Sequence, residues 1–319
     1  MQNSIVETKQ PAVVKSIERI SALPSESRER PKSFKWLVWV SVVALLAMAT
    51  VALWFSQPGF RAFTQGISPV FYYFFAAGFV FAMIDGAIGM SYGVTSTTFS
   101  LSMGISPAVA SMGVHLSEIM SNGIAGWMHY RMGNINWKMF KLLLWPGIIG
   151  AITGAYILSS LEHYSGYSKP FVSLYTLILG IVIFSKAVTI GSKRTGGKIK
   201  RIGLLGLGGG FIDAVGGGGW GSIVLSTLIA GGRNPRFSLG TVKLSRFFIA
   251  LMSSLTFITM LGNTKWEPVA GLVIGSALAS PIAAKISNKI SAKTIMIAVA
   301  VIVIITSLKS IFAFLLKIL

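Results

Sequence analysis

The chain has 319 residues, 53% of them hydrophobic and only 12% charged, with a mean hydropathy of +0.72 and a net charge of +19. Long apolar runs with the charge gathered between them exclude an ordinary soluble domain, and the absence of cysteine excludes disulfides and thiolate metal sites. The basic residues collect at Lys9–Lys35, Lys186–Arg201 and Lys285–Lys293, beside apolar segments, which is the signature of cytoplasmic loops and not of a nucleic-acid surface.

Residues 1–35 are polar, mix both charges and contain Pro11, Pro24 and Pro31, so they read as a disordered cytoplasmic tail. Residues 36–56 form an apolar stretch too long and too far from the start for a secretory signal, and are expected to be an uncleaved membrane helix. Residues 57–66 then lie outside. Segments 67–84 and 86–105 form a broken pair, 107–128 crosses inward, 138–160 outward, and 169–190 returns to the basic loop at 191–201. The second half runs through a broken pair at 202–215 and 217–231, then 236–261, 267–287 and 294–318. With Lys32 and Lys35 inside, every strongly basic loop falls on the same side.

Residues 78–117 and 206–245 are one segment written twice, 128 positions apart. Ile84-Asp85 matches Ile212-Asp213, Gly89 matches Gly217, and Tyr92-Gly93 matches Trp220-Gly221. Gly104 and Pro107 match Gly232 and Pro235; Val114, Leu116 and Ser117 match Val242, Leu244 and Ser245. With one inserted residue, Gly133, Asn134 and Trp137 match Gly262, Asn263 and Trp266. The first repeat (67–190) enters its broken pair from outside and the second (200–318) from inside. The expected fold is therefore an all-α, polytopic membrane bundle of two inverted repeats with broken or re-entrant helices, plus one extra N-terminal helix.

The pieces 202–215 and 217–231 would each be about 21–23 Å long as helix, short of a hydrocarbon core of about 30 Å. They are expected to meet inside the membrane at Gly216–Gly219, where unwound backbone survives only if packed in protein or lining a wet cavity. Half-helix N-termini at both breaks aim N–H groups and positive dipole ends inward, favouring an anion. Gly89, Tyr92, Gly93, Gly217, Gly218, Trp220 and Gly221 are the candidate substrate contacts, although glycine runs also serve tight helix packing. Asp85 and Asp213 are intramembrane carboxylates; capping the second half-helix would explain both, and so would proton transfer or gating.

Ser111, His115, Glu118 and Asn122 follow i, i+4, i+7, i+11 and share one helix face, expected to point into the protein. His115 beside Glu118 is a candidate proton acceptor. Their counterparts in the second repeat are Lys243 and Arg246, which either hold an oxyanion, with Arg forking onto two oxygens, or form ion pairs with Glu118 or Asp213 that join the halves.

The paired motifs DGAIGMSYG…GISPAVASMGVHLSE and DAVGGGGWG…GRNPRFSLGTVKLSR, with the GN-x-x-W loops, resemble the TauE/SafE family of sulfite and sulfonate exporters over residues 67–318. The resemblance implies a bacterial cytoplasmic-membrane protein with its N-terminus inside, moving sulfite, thiosulfate, an organosulfonate or a related organic anion. Lys243 and Arg246 depart from the family pattern, where Asn and Glu are frequent, and make the site more cationic. The expectation is a secondary transporter of a small anion working by alternating access. Its partners would be substrate and lipid, with no nucleic acid, no cofactor and no metal; self-association into a homo-oligomer stays open. A passive anion channel is the alternative. An enzyme is disfavoured by the absence of GxSxG, HExxH and Walker motifs.

Overall fold

A computed structural model describes residues 54–189, 201–262, 264–286 and 292–318, together with Met48. The expected tail at 1–35, most of the helix expected at 36–56, and the basic loops at 191–200 and 287–291 lie outside these residues. The chain divides into two units, Met1–Gly66 and Ile67–Leu319. In the first, Pro58–Gly66 forms a short helix, α1, where the sequence reading placed only an external loop. Pro58 opens it, with φ already set for the first helical position.

Every regular element among the described residues of the second unit is helical. They are α2 (Pro69–Ile88), α3 (Tyr92–Ser102), α4 (Pro107–Arg131), α5 (Trp137–Ser160), α6 (Ser165–Val188), α7 (Ile202–Gly216), α8 (Gly221–Ala230, beginning as a π-turn), α9 (Pro235–Met260), α10 (Trp266–Ile286) and α11 (Ala292–Ile318). Helix starts follow local chemistry. Pro69, Pro107 and Pro235 occupy first positions, and the caps Ser68, Asn136 and Asn234 accept backbone N–H groups of Val70, Met139 and Arg236. Five described helices are long and apolar enough to cross a membrane: those containing Pro69–Gly86, Trp137–Ser160, Glu162–Val188, Pro235–Met260 and Lys293–Leu316. Their outward faces carry exposed large apolar side chains such as Trp145, Ile149, Phe171, Ile302 and Leu316, as lipid contact requires. Helix α4 has the length, about 37 Å, but its buried polar face lowers its hydropathy.

Helix α2 packs on α10, α5 on α7, α4 on α9 and α6 on α11. A shift of 128–129 residues maps the first of these pairs onto the second. Small residues allow the close approach. A Cβ on Gly78 would lie 2.6 Å from the Leu272 carbonyl oxygen, and Gly150, Gly206 and Gly210 are similarly pressed against backbone across the α5–α7 contact. Trp220, Phe74 and Phe257 are the largest fully buried side chains, and the Trp220 ring lies against Gly147 of α5.

Candidate functional site

Two helix breaks meet at the centre of the second unit. Helix α2 continues to Ile88 and stops at Gly89, whose φ of +81° suits only glycine without strain and whose N–H donates to the Asp85 carbonyl at 2.5 Å. Helix α7 stops the same way at Gly217, φ +63°. The first break therefore comes later than the sequence reading placed it. Asp85 sits in the last turn of α2, because its carbonyl still accepts the terminating bond.

The aspartate side chains then reach over the breaks. Asp85 Oδ1 accepts N–H groups from Ser91 at 2.7 Å and Tyr92 at 3.0 Å, while Asp213 Oδ1 accepts the Trp220 N–H at 2.7 Å. Each carboxylate thus caps the half-helix that follows it. The N–H groups of Gly93 and Gly221, one residue further on, lie beyond the caps in helical turns where no intrahelical acceptor exists.

The breaks touch crosswise. A Cβ on Gly93 would lie 2.6 Å from Gly218 Cα, and one on Gly221 would lie 3.2 Å from Met90 Cα. Unwound carbonyls are covered by side chains: Thr97 donates to Gly217 O at 2.7 Å, Ser111 to Ala214 O at 2.6 Å, Tyr175 to Gly218 O at 2.6 Å and Ser222 to Met90 O at 2.9 Å. Lys186 donates to Ser222 O at 2.6 Å and to Ser226 Oγ at 2.8 Å, steadying the π-turn that opens α8. Irregular backbone persists at this depth because protein supplies its hydrogen bonds.

Six ionisable side chains converge here from α2, α4, α7 and α9. Arg246 forks onto Glu118, Nε to Oε2 at 2.9 Å and Nη2 to Oε1 at 2.5 Å, and Nη2 also reaches Asp213 Oδ1 at 3.3 Å. Of the two roles open to Arg246 on sequence, the geometry contains the ion pair. Its Nη1 has no hydrogen bond among the described residues and lies beside Gly221, at 3.4 Å from the position of a Cβ there. Lys243 Nζ stands 3.5 Å from Asp85 Oδ2, and His115 Nε2 stands 3.5 Å from Asp213 Oδ2. His115 and Asp213 have no exposed side-chain surface, whereas Lys243 and Asp85 keep 15% and 13%.

Ser111, His115, Glu118 and Asn122 are all buried along one face of α4, and the Oδ1 of Asn122 has no hydrogen-bond partner among the described residues. Tyr92 and Trp220 are buried, while Gly89 faces open space. Thr97, Tyr175 and Ser222 were not among the residues expected here, and Lys186, read from the sequence as part of a basic loop, instead lies in the last turn of α6. Only Thr97 left a trace, inside the hydroxyl-rich run from Thr95 to Ser100. Among the described residues, His115, Glu118 and Asp213 place ligand atoms within 4.8 Å of one another, the spacing of a metal site. A dication would have to displace the guanidinium that already bonds both carboxylates, so the trio does not fit one. A separate cavity of about 570 Å³ is lined by Ser68, Ile105, Ser106, Glu162, Lys265 and Glu267; two carboxylates against one cation make it a poor anion site.

The family model described as Sulfite exporter TauE/SafE matches residues 74–310. The probable membrane transporter protein YtnM of Bacillus subtilis (strain 168) is 39% identical over 207 residues, which cover 63% of this chain and 67% of that protein. No solved structure matches.

Proposed function

The chain belongs to the sulfite exporter TauE/SafE family, and from that premise we propose that it is a secondary transporter of a small oxyanion, a sulfur oxyanion or organosulfonate, and not an enzyme. The observation that carries this reading is the meeting of two half-helix N-termini around Arg246. A Cβ on Gly93 would lie 3.4 Å from Nη2 of the guanidinium and one on Gly221 would lie 3.4 Å from its Nη1, so the cation stands against the first turns of both half-helices, where N–H donors suit an oxyanion. Lys243 adds a second cation.

The two repeats are inverted across the membrane plane, with the N-terminus cytoplasmic in the bacterial inner membrane. Three reciprocal features support the inversion. The α2–α10 pair maps onto α7–α5, the Gly93–Gly218 contact maps onto Gly221–Met90, and Lys243–Asp85 maps onto His115–Asp213. Glu118 and Arg246, themselves counterparts, bond to each other, so the relating axis runs between them. Rocking of one half against the other about that axis exposes the site alternately to each side. The partial exposure of Lys243 and Asp85, against full burial of His115 and Asp213, fits a state leaning toward the cytoplasmic side. Asp85, His115, Glu118 and Asp213 gate the site or carry protons.

Purified protein in proteoliposomes tests this. Sulfite, thiosulfate, sulfate, sulfoacetate and acetate are applied in turn, with and without a pH gradient. Saturable flux of one sulfur anion, altered by the gradient, is expected. Flux without saturation or pH dependence would indicate a passive channel instead.

A further inference from the structure

The two equivalent ion pairs differ in one chemical respect. Lys243–Asp85 pairs an ammonium with a carboxylate, whereas His115–Asp213 sets against a carboxylate an imidazole, which has a second ring nitrogen able to take up a proton. By formal charge, three carboxylates (Asp85, Glu118, Asp213) stand against Lys243 and Arg246, so these side chains together sum to one negative charge while His115 is neutral. It is balanced when His115 is protonated. Net charge in a sealed, low-dielectric site is costly, and adding an anion to a site already negative is more so.

We infer that His115, held 3.5 Å from Asp213, is the proton site of this protein, that one proton binds there with each anion, and that Lys243–Asp85 is its lysine-bearing counterpart. This rests on the anion-transport reading above. The groups facing His115 are Asp213 from α7, Glu118 and the Ser111 carbonyl from its own helix, and the Phe257 ring from α9; Arg246 from α9 bonds the same two carboxylates, Asp213 and Glu118. The His115 Nδ1 lies 2.8 Å from the Ser111 carbonyl oxygen, which can only accept, so Nδ1 carries a hydrogen. That leaves Nε2, facing Asp213 Oδ2, as the atom that takes the incoming proton. Neither of those two atoms has another hydrogen-bond partner among the described residues. Protonation turns the contact into a charged pair, and deprotonation leaves a buried carboxylate oxygen facing a lone pair.

Full-length protein in detergent tests the assignment. Binding of methanesulfonate, a monoanion whose charge is constant between about pH 5 and 8, is titrated at several pH values, together with thiosulfate. Because the proton is needed for binding, the apparent Kd rises about tenfold per pH unit above the imidazole titration. In His115→Lys the pair copies Lys243–Asp85, and Kd becomes flat with pH while binding persists. Retention of the wild-type slope in H115K, or a flat wild type, overturns the inference.

Should H115K fail to fold, Lys243→His supplies the reciprocal test. With both pairs titratable the slope steepens toward about a hundredfold per unit, and an unchanged slope overturns the inference. If neither anion binds at any pH, the anion reading fails separately, and the proton site is judged on unliganded melting. A melting temperature that falls with rising pH in wild type and is flat in H115K supports it. Equal pH dependence in both overturns it.

Discussion

Replacing Arg246 separates its role in stability from any role in binding, provided its partner is replaced as well. Arg246→Gln removes a guanidinium that is 5% exposed and makes three hydrogen bonds to two buried carboxylates. Breaking a buried pair from one side leaves charge uncompensated and costs about 3–5 kcal/mol, so thermal unfolding in detergent should show a large loss. Transport would fall in that variant for either reason. The pair Glu118→Gln with Arg246→Gln removes one acid and one base, leaves the formal charge of the cluster unchanged and keeps side chains of similar size. Its stability should recover only part of that loss, because exchanging both partners of the Glu118–Arg246 pair is far cheaper than removing one, while Asp213 still loses its guanidinium partner. Anion flux in proteoliposomes should stay lost, since the donor edge beside Gly221 is gone. Wild-type flux in the folded double variant would refute an anion role for Arg246 and leave it as a strut between the two halves.

Three further outcomes follow from the same geometry. Asp213→Asn should cost about 3–5 kcal/mol, because it uncouples both His115 and Arg246 in a fully buried site. Asp85→Asn, whose partner Lys243 is partly solvated, should cost about 1–2 kcal/mol; equal losses in thermal unfolding would contradict the difference in burial. Gly218→Ala should abolish flux, since its Cβ would lie 2.6 Å from Gly93 Cα and force the two breaks apart. Gly104→Ala, also at positive φ but with nothing within 4 Å, should cost only about 1–2 kcal/mol of backbone strain and leave flux intact. Ser111→Ala strips the donor from the Ala214 carbonyl and should lower stability by about 1–3 kcal/mol, and Ser111→Thr should recover most of that.

Much of this was readable in the chain itself, for identifiable reasons. A membrane span needs a run of apolar residues, and a helix that faces protein needs its polar residues on one stripe. Residues 138–160 and the face formed by Ser111, His115, Glu118 and Asn122 were therefore visible as periodicity. The doubled Asp and Gly positions located both breaks to within a few residues. The end of α2 was misplaced because an intramembrane aspartate followed by glycine reads as a stop. The chain adds another turn and stops at Gly89, where the left-handed residue actually falls. The contacts of Thr97, Tyr175, Ser222 and Lys186 were not readable. Each serves a backbone carbonyl in a distant segment, as Thr97 does for Gly217, 120 residues away, and one side chain meeting one backbone group imposes no period and no spacing on sequence.

The charges also explain why a symmetric scaffold need not work symmetrically. Duplication carried the skeleton over nearly intact: an aspartate one turn before the break, a capped half-helix beyond it, and a serine-rich crossing helix behind. Had the charged positions been copied as well, both halves would hold the same ion pair, and the central contact would set Glu against Glu or Arg against Arg, a like-charge pair that a buried site cannot hold. An interaction on the relating axis must therefore differ between the two repeats to be attractive at all. Glu118 opposite Arg246 satisfies that requirement, and once the axis is occupied by unlike residues the flanking pairs are free to diverge. Histidine in one and lysine in the other sets an imidazole against Asp213 where the matching pair sets an ammonium against Asp85, so the two halves differ in chemistry at equivalent positions.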